Sequence, residues 1–248
     1  PWATSFIFAI FPTIIFMLLI GFLDRFNWLR SLPSLYGSLN FIGALMMVAG
    51  GVLVAIQDNL GKAFGYAVIV ETGFSLLAIG LNSEGGLTWF SLLLIPRAFS
   101  YWLWAFSLSK IKEEYKDLSI RALSGIMHKH PFISTGVIIA QLSLAGLPLL
   151  ASFPIKRLIW FASANTNLWN NVWLFISSIG LTLFTLRISL QFIKSGSDKK
   201  LWIRSEPSVV VVPIIIAMFL LLGTGLFPHL LSTMSNLMNA FEHFAIIP

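Results

Sequence analysis

The chain has 248 residues, 57% of them hydrophobic and 10% charged, with a mean hydropathy of +0.86. Soluble domains carry about 25% charged residues, so the composition excludes an ordinary soluble protein and predicts an integral membrane one. The absence of cysteine excludes disulfides and cysteine-bound metals or clusters. The net charge of +6 reads as decoration of cytoplasmic loops rather than affinity for nucleic acid.

A spanning helix needs about 20 predominantly apolar residues, and the chain offers about seven such stretches. The first runs from Thr4 to Leu23 with Pro12 inside it, and no signal peptide is recognisable there. The second, Leu35 to Gln57, holds the small-residue run Val48-Ala49-Gly50-Gly51, suited to close helix contact. The third, Lys62 to Leu81, carries Glu71, and the fourth, Leu87 to Ser109, carries Pro96 and Arg97. The fifth starts near Phe132 and continues past a break to Ala164. The sixth, Trp169 to Lys194, contains Arg187, and the seventh, Val209 to Phe227, has Pro213 near its start. The expected fold is therefore all-α: a polytopic membrane helix bundle over residues 1–228 with one proline-broken helix. Residues 229–248 place Leu230, Leu231, Met234, Leu237, Met238 and Phe241 at helical spacing, as in an amphipathic tail on the membrane surface or on a partner.

In a seven-span arrangement Lys62, Lys110, Lys112, Lys116, Arg121, Lys129, Lys194, Lys199, Lys200 and Arg204 fall on one side, and Arg25 and Arg30 on the other. The first side is the expected cytoplasmic one, with the N-terminus inside and the C-terminus on the opposite side. The long loop Lys110 to Pro131, with its alternating charges KIKEEYKDLSIR, is expected to form a short amphipathic helix. His128-Lys129-His130 is a poor metal-ligand set, because no carboxylate neighbours it in sequence. The aromatic run Tyr101, Trp102, Trp104, Phe106 reads as packing or an interfacial belt.

No phosphate loop, nucleotide fingerprint or catalytic triad is recognisable, so interest falls on charges within the spans. An ionisable residue inside a membrane is a functional candidate whose partner must be found. Glu71 lies about nine residues into its span, roughly 14 Å deep at about 1.5 Å per residue. Arg97 lies at a similar depth in the next span, so adjacent antiparallel helices could pair them, either as a lock or as part of a relay. In the fifth span, Gly146, Pro148 and Pro154 interrupt an apolar run just before Lys156 and Arg157. A broken helix in a membrane normally faces protein or a cavity, since its freed carbonyls need partners. The spacing leaves Lys156 open to two readings: a buried ion-handling lysine, or one that snorkels to the interface beside Arg157. Arg187, near the end of its span, reads as snorkelling.

Ser143-Leu144-Ala145-Gly146-Leu147-Pro148, followed by Phe153 and Lys156, resembles the S-L-A-G-x-P-x-x-x-G-F-x-x-K segment of antiporter-like subunits, with Ser152 at the second glycine. Those subunits build the membrane arms of complex I, its photosynthetic relatives, membrane-bound hydrogenases and Mrp-type antiporters. Asp58, Lys62, Tyr66 and Gly73 are similar to that family's D-x-K-R-L-L-A-Y-S-S-x-x-H-x-G-Y, and Gly223 to Pro228 to the close of its last core helix. The order of segments resembles helices eight to fourteen of a fourteen-helix subunit. The resemblance implies that Lys156 exchanges protons with one side of the membrane; Glu71, Arg97, Tyr101 and Lys62 are the further relay candidates. It implies other membrane-arm subunits as partners, a first half either supplied by another chain or lying outside the present sequence, and an energy-transducing membrane; no redox cofactor is expected in this chain, since cysteine is absent and His128, His130, His229 and His243 fall in loops or the tail. The chain also departs from the pattern: Phe11-Pro12-Thr13 stands where a lysine is expected, Glu71 replaces a histidine, and Arg97-Ala98-Phe99-Ser100-Tyr101 replaces H-A-x-x-K. A non-conducting structural relative and a sodium/proton antiporter component are the competing readings.

Overall fold

The computed structural model describes residues 2–81, 84–166, 168–194 and 205–230, all helices and connections. In order these are α1 (Trp2–Arg25), α2 (Asn27–Arg30), α3 (Pro33–Ile56), α4 (Leu60–Gly80), α5 (Glu84–Tyr115), α6 (Pro131–Ala145), α7 (Phe153–Thr166), α8 (Leu168–Ile193) and α9 (Ser208–Leu226). Among the described residues, five helices are long and apolar enough to cross a membrane on length and composition alone: α1, α3, α4, α8 and α9. The 32-residue α5 is longer but carries more charge, and α6 and α7 are the two halves of the broken fifth span. Most of the amphipathic tail expected over 229–248 lies outside the described residues.

Helices α3, α4 and α8 form the tightest part of the bundle because glycine removes the side chains between them. A Cβ at Gly51 would stand 2.7 Å from the Cα of Ser177 on α8, and one at Gly50 would stand 2.8 Å from the Val70 side chain on α4. The outward faces of α1, α3, α8 and α9 are apolar, with Phe11, Phe41, Leu190 and Phe219 each more than half exposed. Apolar side chains are at home there in a lipid-facing or subunit-facing surface.

One end of the bundle is tied together by its loops. Leu60 N–H donates to Leu118 C=O at the start of α4, Ile120 N–H to Asp58 C=O, and Gly125 N–H to Gln191 C=O on α8. Glu206, just before α9, accepts from the Phe132 and Ile133 amides at 3.2 and 2.8 Å and so caps α6. The end where α4, α6 and α9 begin and α5 and α8 finish is therefore one surface, carrying Lys110, Lys112, Lys129 and Lys194.

The amphipathic helix expected in the loop does not form. The charges KIKEEY instead prolong α5 to Tyr115, and Lys116 in the left-handed region, at φ 57°, ends the helix. Residues 117–130 follow as turns with one 3₁₀ turn, Ile126–His128. Asp117 opens this segment by accepting from the amide and hydroxyl of Ser119, an Asx turn that competes with further helix.

Candidate functional site

The fifth span breaks where its sequence removes both donors and right-handed geometry. Gly146 ends α6 in the left-handed region at φ 77° and ψ 39°. Leu147 N–H reaches back to Leu142 C=O and Gly146 N–H to Ser143 C=O, a Schellman ending. In a continuing helix the Leu144 carbonyl would accept from residue 148, but Pro148 has no N–H. Pro154 does not interrupt a helix. It sits in the first turn of α7, where its missing donor costs nothing. The break is held from outside by α9, where a side chain at Gly225 would run into the Leu149 carbonyl.

The freed Leu144 carbonyl meets Lys156. Its Nζ donates to Leu144 C=O and to Glu71 Oε1, the latter at 2.5 Å, and lies 4.0 Å from the centroid of the Phe74 ring. A carbonyl at a helix C-terminus and an aromatic face both favour a cation. From the other side, Arg97 Nε donates to Glu71 Oε2 at 3.2 Å and its terminal nitrogen to Glu71 C=O at 3.1 Å. The three side chains form one buried cluster: Glu71 is 0% exposed, Arg97 5% and Lys156 3%. Lys156 thus does not snorkel, whereas its neighbour Arg157 is exposed and lies over Phe161 at 5.4 Å.

The cluster joins α4, α5 and the α6–α7 break, and recesses approach it from two directions. A cavity of about 280 Å³ is lined by Gly146, Lys156, Arg157, Trp160, Asn171 and Ser178. Asn171 lies near the start of α8, far from the Lys-rich end where α8 finishes, so this cavity leads towards the opposite end. A cleft of about 220 Å³ between α1 and α5 has Thr13 on one wall and Arg97 on the other.

Tyr101 is buried one turn from Arg97 on α5, its ring edge-on to Phe64 at 5.6 Å. Lys62 is exposed in the first turn of α4, about 14 Å from Glu71 along the helix. Arg187 is exposed and pairs with Asp58, donating also to the Ala55 and Gln57 carbonyls where α3 ends. The aromatic run serves packing: Trp104 is edge-on to Phe64, and Trp102 stacks on Phe106. Sequence reasoning missed the Leu144 carbonyl, Phe74, and the Ser100–Ser143 hydrogen bond of 2.9 Å that ties α5 to α6 beside the cluster. The signal for the first was present, since a proline four residues after a helical carbonyl always removes its partner.

A second charged group sits outside the membrane-spanning part, at the Lys-rich end. Glu114 contacts Lys129 and stands 2.8 Å from His130 Nε2. Burial raises the Glu114 carboxyl, but the contacts with Lys129 and His130 outweigh it and hold it below the ordinary carboxylate range. The bond to Glu114 in turn holds Lys129 above the ordinary lysine range.

Residues 1–185 match the family described as NADH:quinone oxidoreductase/Mrp antiporter, transmembrane. The chain belongs to this family. Among curated relatives it is similar to NADH-quinone oxidoreductase subunit N 2 of Herpetosiphon aurantiacus, at 26% identity over 88% of this chain and 39% of that one. Among solved structures it superposes on a chain of the membrane-bound sulfane sulfur reductase, an archaeal respiratory membrane complex. The TM-score there is 0.83 at 17% identity, over 93% of this chain and 48% of that one. It also superposes on a chain of the Mrp complex from Dietzia sp. DQ12-45-1b, with a TM-score of 0.72 at 15% identity over 81% and 46% of the two chains. These likenesses establish the antiporter-like fold, and the chain spans less than half the length of each of the three.

Proposed function

We propose that the chain is a membrane-arm subunit of a proton-pumping, complex I-like NADH/ferredoxin–quinone oxidoreductase. Its Glu71, Arg97 and Lys156 would contribute to proton translocation coupled to electron transfer elsewhere in the complex. The observation that carries this reading is the Lys156 amine, buried between the Glu71 carboxylate and the Leu144 carbonyl at a helix break. The three groups divide the work by chemistry. The Arg97 guanidinium holds Glu71 in place through its hydrogen bonds to the carboxylate and to the Glu71 carbonyl. Lys156 is the member able to release and regain a proton, and the cavity beside it gives that proton a way out. The chain is read as carrying no redox centre of its own, with other membrane-arm subunits as its partners and the Lys-rich end facing the cytoplasm or its equivalent.

Replacing Lys156 by Met in the assembled complex tests this. Methionine keeps the length and removes the titrating amine. The expected result is fewer protons moved per electron pair with electron transfer and assembly intact. An unchanged stoichiometry in the assembled complex would refute the relay.

One observation favours a second reading. Arg97 stands where the resembling motif carries a histidine, and its guanidinium holds both the Glu71 carboxylate and the Glu71 carbonyl, as a lock would. On that reading the chain is a non-conducting structural subunit, and the Lys156 variant changes stability alone. For an Mrp-type or hydrogenase-type assembly, sodium-dependent proton release without a quinone substrate would replace the redox coupling.

A further inference from the structure

With all three groups ionised, the buried cluster holds one cation too many. Glu71 is its single carboxylate and is shared by Arg97 and Lys156. The other buried carboxylate among the described residues, Glu206, caps α6. That cap lies about 18 Å along α6 from the Leu144 carbonyl that meets Lys156. A surplus cation in an apolar interior is costly unless an anion from elsewhere meets it.

Arg97 has a nitrogen left for such an anion. Its Nε and Nη2 both donate to Glu71, and Nη1 has no hydrogen-bond partner among the described residues. Arg97 is the one charged part of the wall of the 220 Å³ cleft between α1 and α5. The rest of that wall is Ala9, Ile10, Thr13, Ile14, Leu94 and Ala98. Ala9 and Thr13 stand four apart on α1, the spacing of small residues at which another helix approaches closely. Around them Ile10, Ile14 and Phe99 are exposed. Among the five spanning helices named above, α1 is the least covered.

Depth decides which anion can reach this place. Thr13 stands at the middle of α1, about 17 Å from either end. The hydrocarbon core of a bilayer is about 30 Å thick, so lipid phosphates stay at its faces. A carboxylate on a spanning helix is carried to the right depth by its own backbone. In hydrocarbon it needs a cation as much as Arg97 needs an anion.

We propose that the α1–α5 cleft is the docking groove for a membrane-spanning helix outside this sequence that carries an Asp or Glu at mid-depth. That carboxylate accepts from Arg97 Nη1 and completes an alternating row of carboxylate, Arg97, Glu71 and Lys156. The incoming backbone crosses α1 at Ala9 and Thr13, and its apolar side chains cover Ile10, Ile14 and Phe99. Arg97 is then the link through which a neighbouring helix touches the cluster. The proposal stands whether the cluster moves protons or locks the bundle.

The test uses membranes containing the assembled complex. Ile14 is replaced by photoreactive benzoylphenylalanine, and the adducts formed on illumination are sequenced by mass spectrometry. The expected adduct is a peptide from a spanning segment with Asp or Glu near its middle. Adducts to lipid or quinone alone, to a segment without an acid, or to residues 231–248 of this chain overturn the proposal. So does the absence of any protein adduct. The pairing itself is read by a double-variant cycle on the yield of that adduct. Arg97→Gln, the partner's acid changed to its amide, and both changes together are compared. Truncating one member of a buried charge pair weakens an interface about tenfold or more. Each single variant should lower the yield to that extent, and the double variant no further than the worse single one. An unchanged yield in either single variant, or losses that multiply in the double one, overturns the pairing. Should Arg97→Gln fail to assemble, the adduct in the otherwise unaltered complex decides.

Discussion

Removing the Glu71 charge isolates what the buried cluster contributes. In Glu71→Gln the side chain keeps its size and hydrogen-bonding capacity, but Arg97 and Lys156 lose their common anion. A unit pair about 4 Å apart interacts by about 4 kcal/mol at an effective dielectric of about 20, and Glu71 makes two such contacts, at 3.2 and 2.5 Å. The gross loss of about 8 kcal/mol is not realised in full, because Lys156 can shed its proton while Arg97 cannot. Orphaning a buried charge leaves a net cost of about 3–5 kcal/mol. For a domain of this size that corresponds to a melting point lowered by roughly 10 °C. The assay is thermal precipitation of the solubilised complex, followed through this chain. Adding Lys156→Met to Glu71→Gln removes one of the stranded cations and should recover part of the loss, a positive coupling between the two sites. A Glu71→Gln variant melting within about 2 °C of the parent, below about 1 kcal/mol, would refute the view that these groups are held as charges.

Two further outcomes follow from the geometry. Gly225→Val should push α9 off the Leu149 carbonyl and loosen the break, costing about 1–3 kcal/mol as overpacking does; thermal precipitation checks it, and a variant as stable as the parent would show that α9 does not hold the break. The Glu114–Lys129 contact should be insensitive to pH across the neutral range. Glu114 lies below the ordinary carboxylate value, so its stabilisation is complete above about pH 5 and disappears as pH falls through its depressed folded value. Lys129 lies above the ordinary lysine value, so its share is complete below about pH 10 and disappears as pH rises further. Amide exchange over residues 117–130, corrected for intrinsic rates, should then be flat from about pH 5 to 9 and rise outside that window.

Much of the fold was legible because apolar length alone sets the spans: α3, α4, α8 and α9 begin and end within two or three residues of the stretches that hydropathy marks. Glu71 and Arg97 were legible as a pair because depth counts directly along straight helices. Lys156 was not, since counting from Phe132 carries it to the membrane surface. The left-handed residues Gly146 and Leu149 in the break, conformations that spacing does not record, bring the lysine back beside Glu71. The loop helix failed for a different reason. Alternating charge fits any solvated helix, and nothing in KIKEEY distinguishes a separate element from two more turns of α5. Arg97 was visible as a charge in an apolar run, but the nitrogen it does not share with Glu71 could be seen only in three dimensions.

The glycine contacts among α3, α4 and α8 bear on how the cluster can move. Backbones in such close approach cannot slide without collision, so α4 and its Glu71 are fixed to a stiff slab. Lys156 is carried by the first turn of α7, set off from that slab by the left-handed joint at Gly146 and the seven-residue break. Carboxylate and amine thus belong to mechanically different parts, a stator and a rotor. A swing of α7 at that joint would part the carboxylate and the amine while α3, α4 and α8 keep their close contacts.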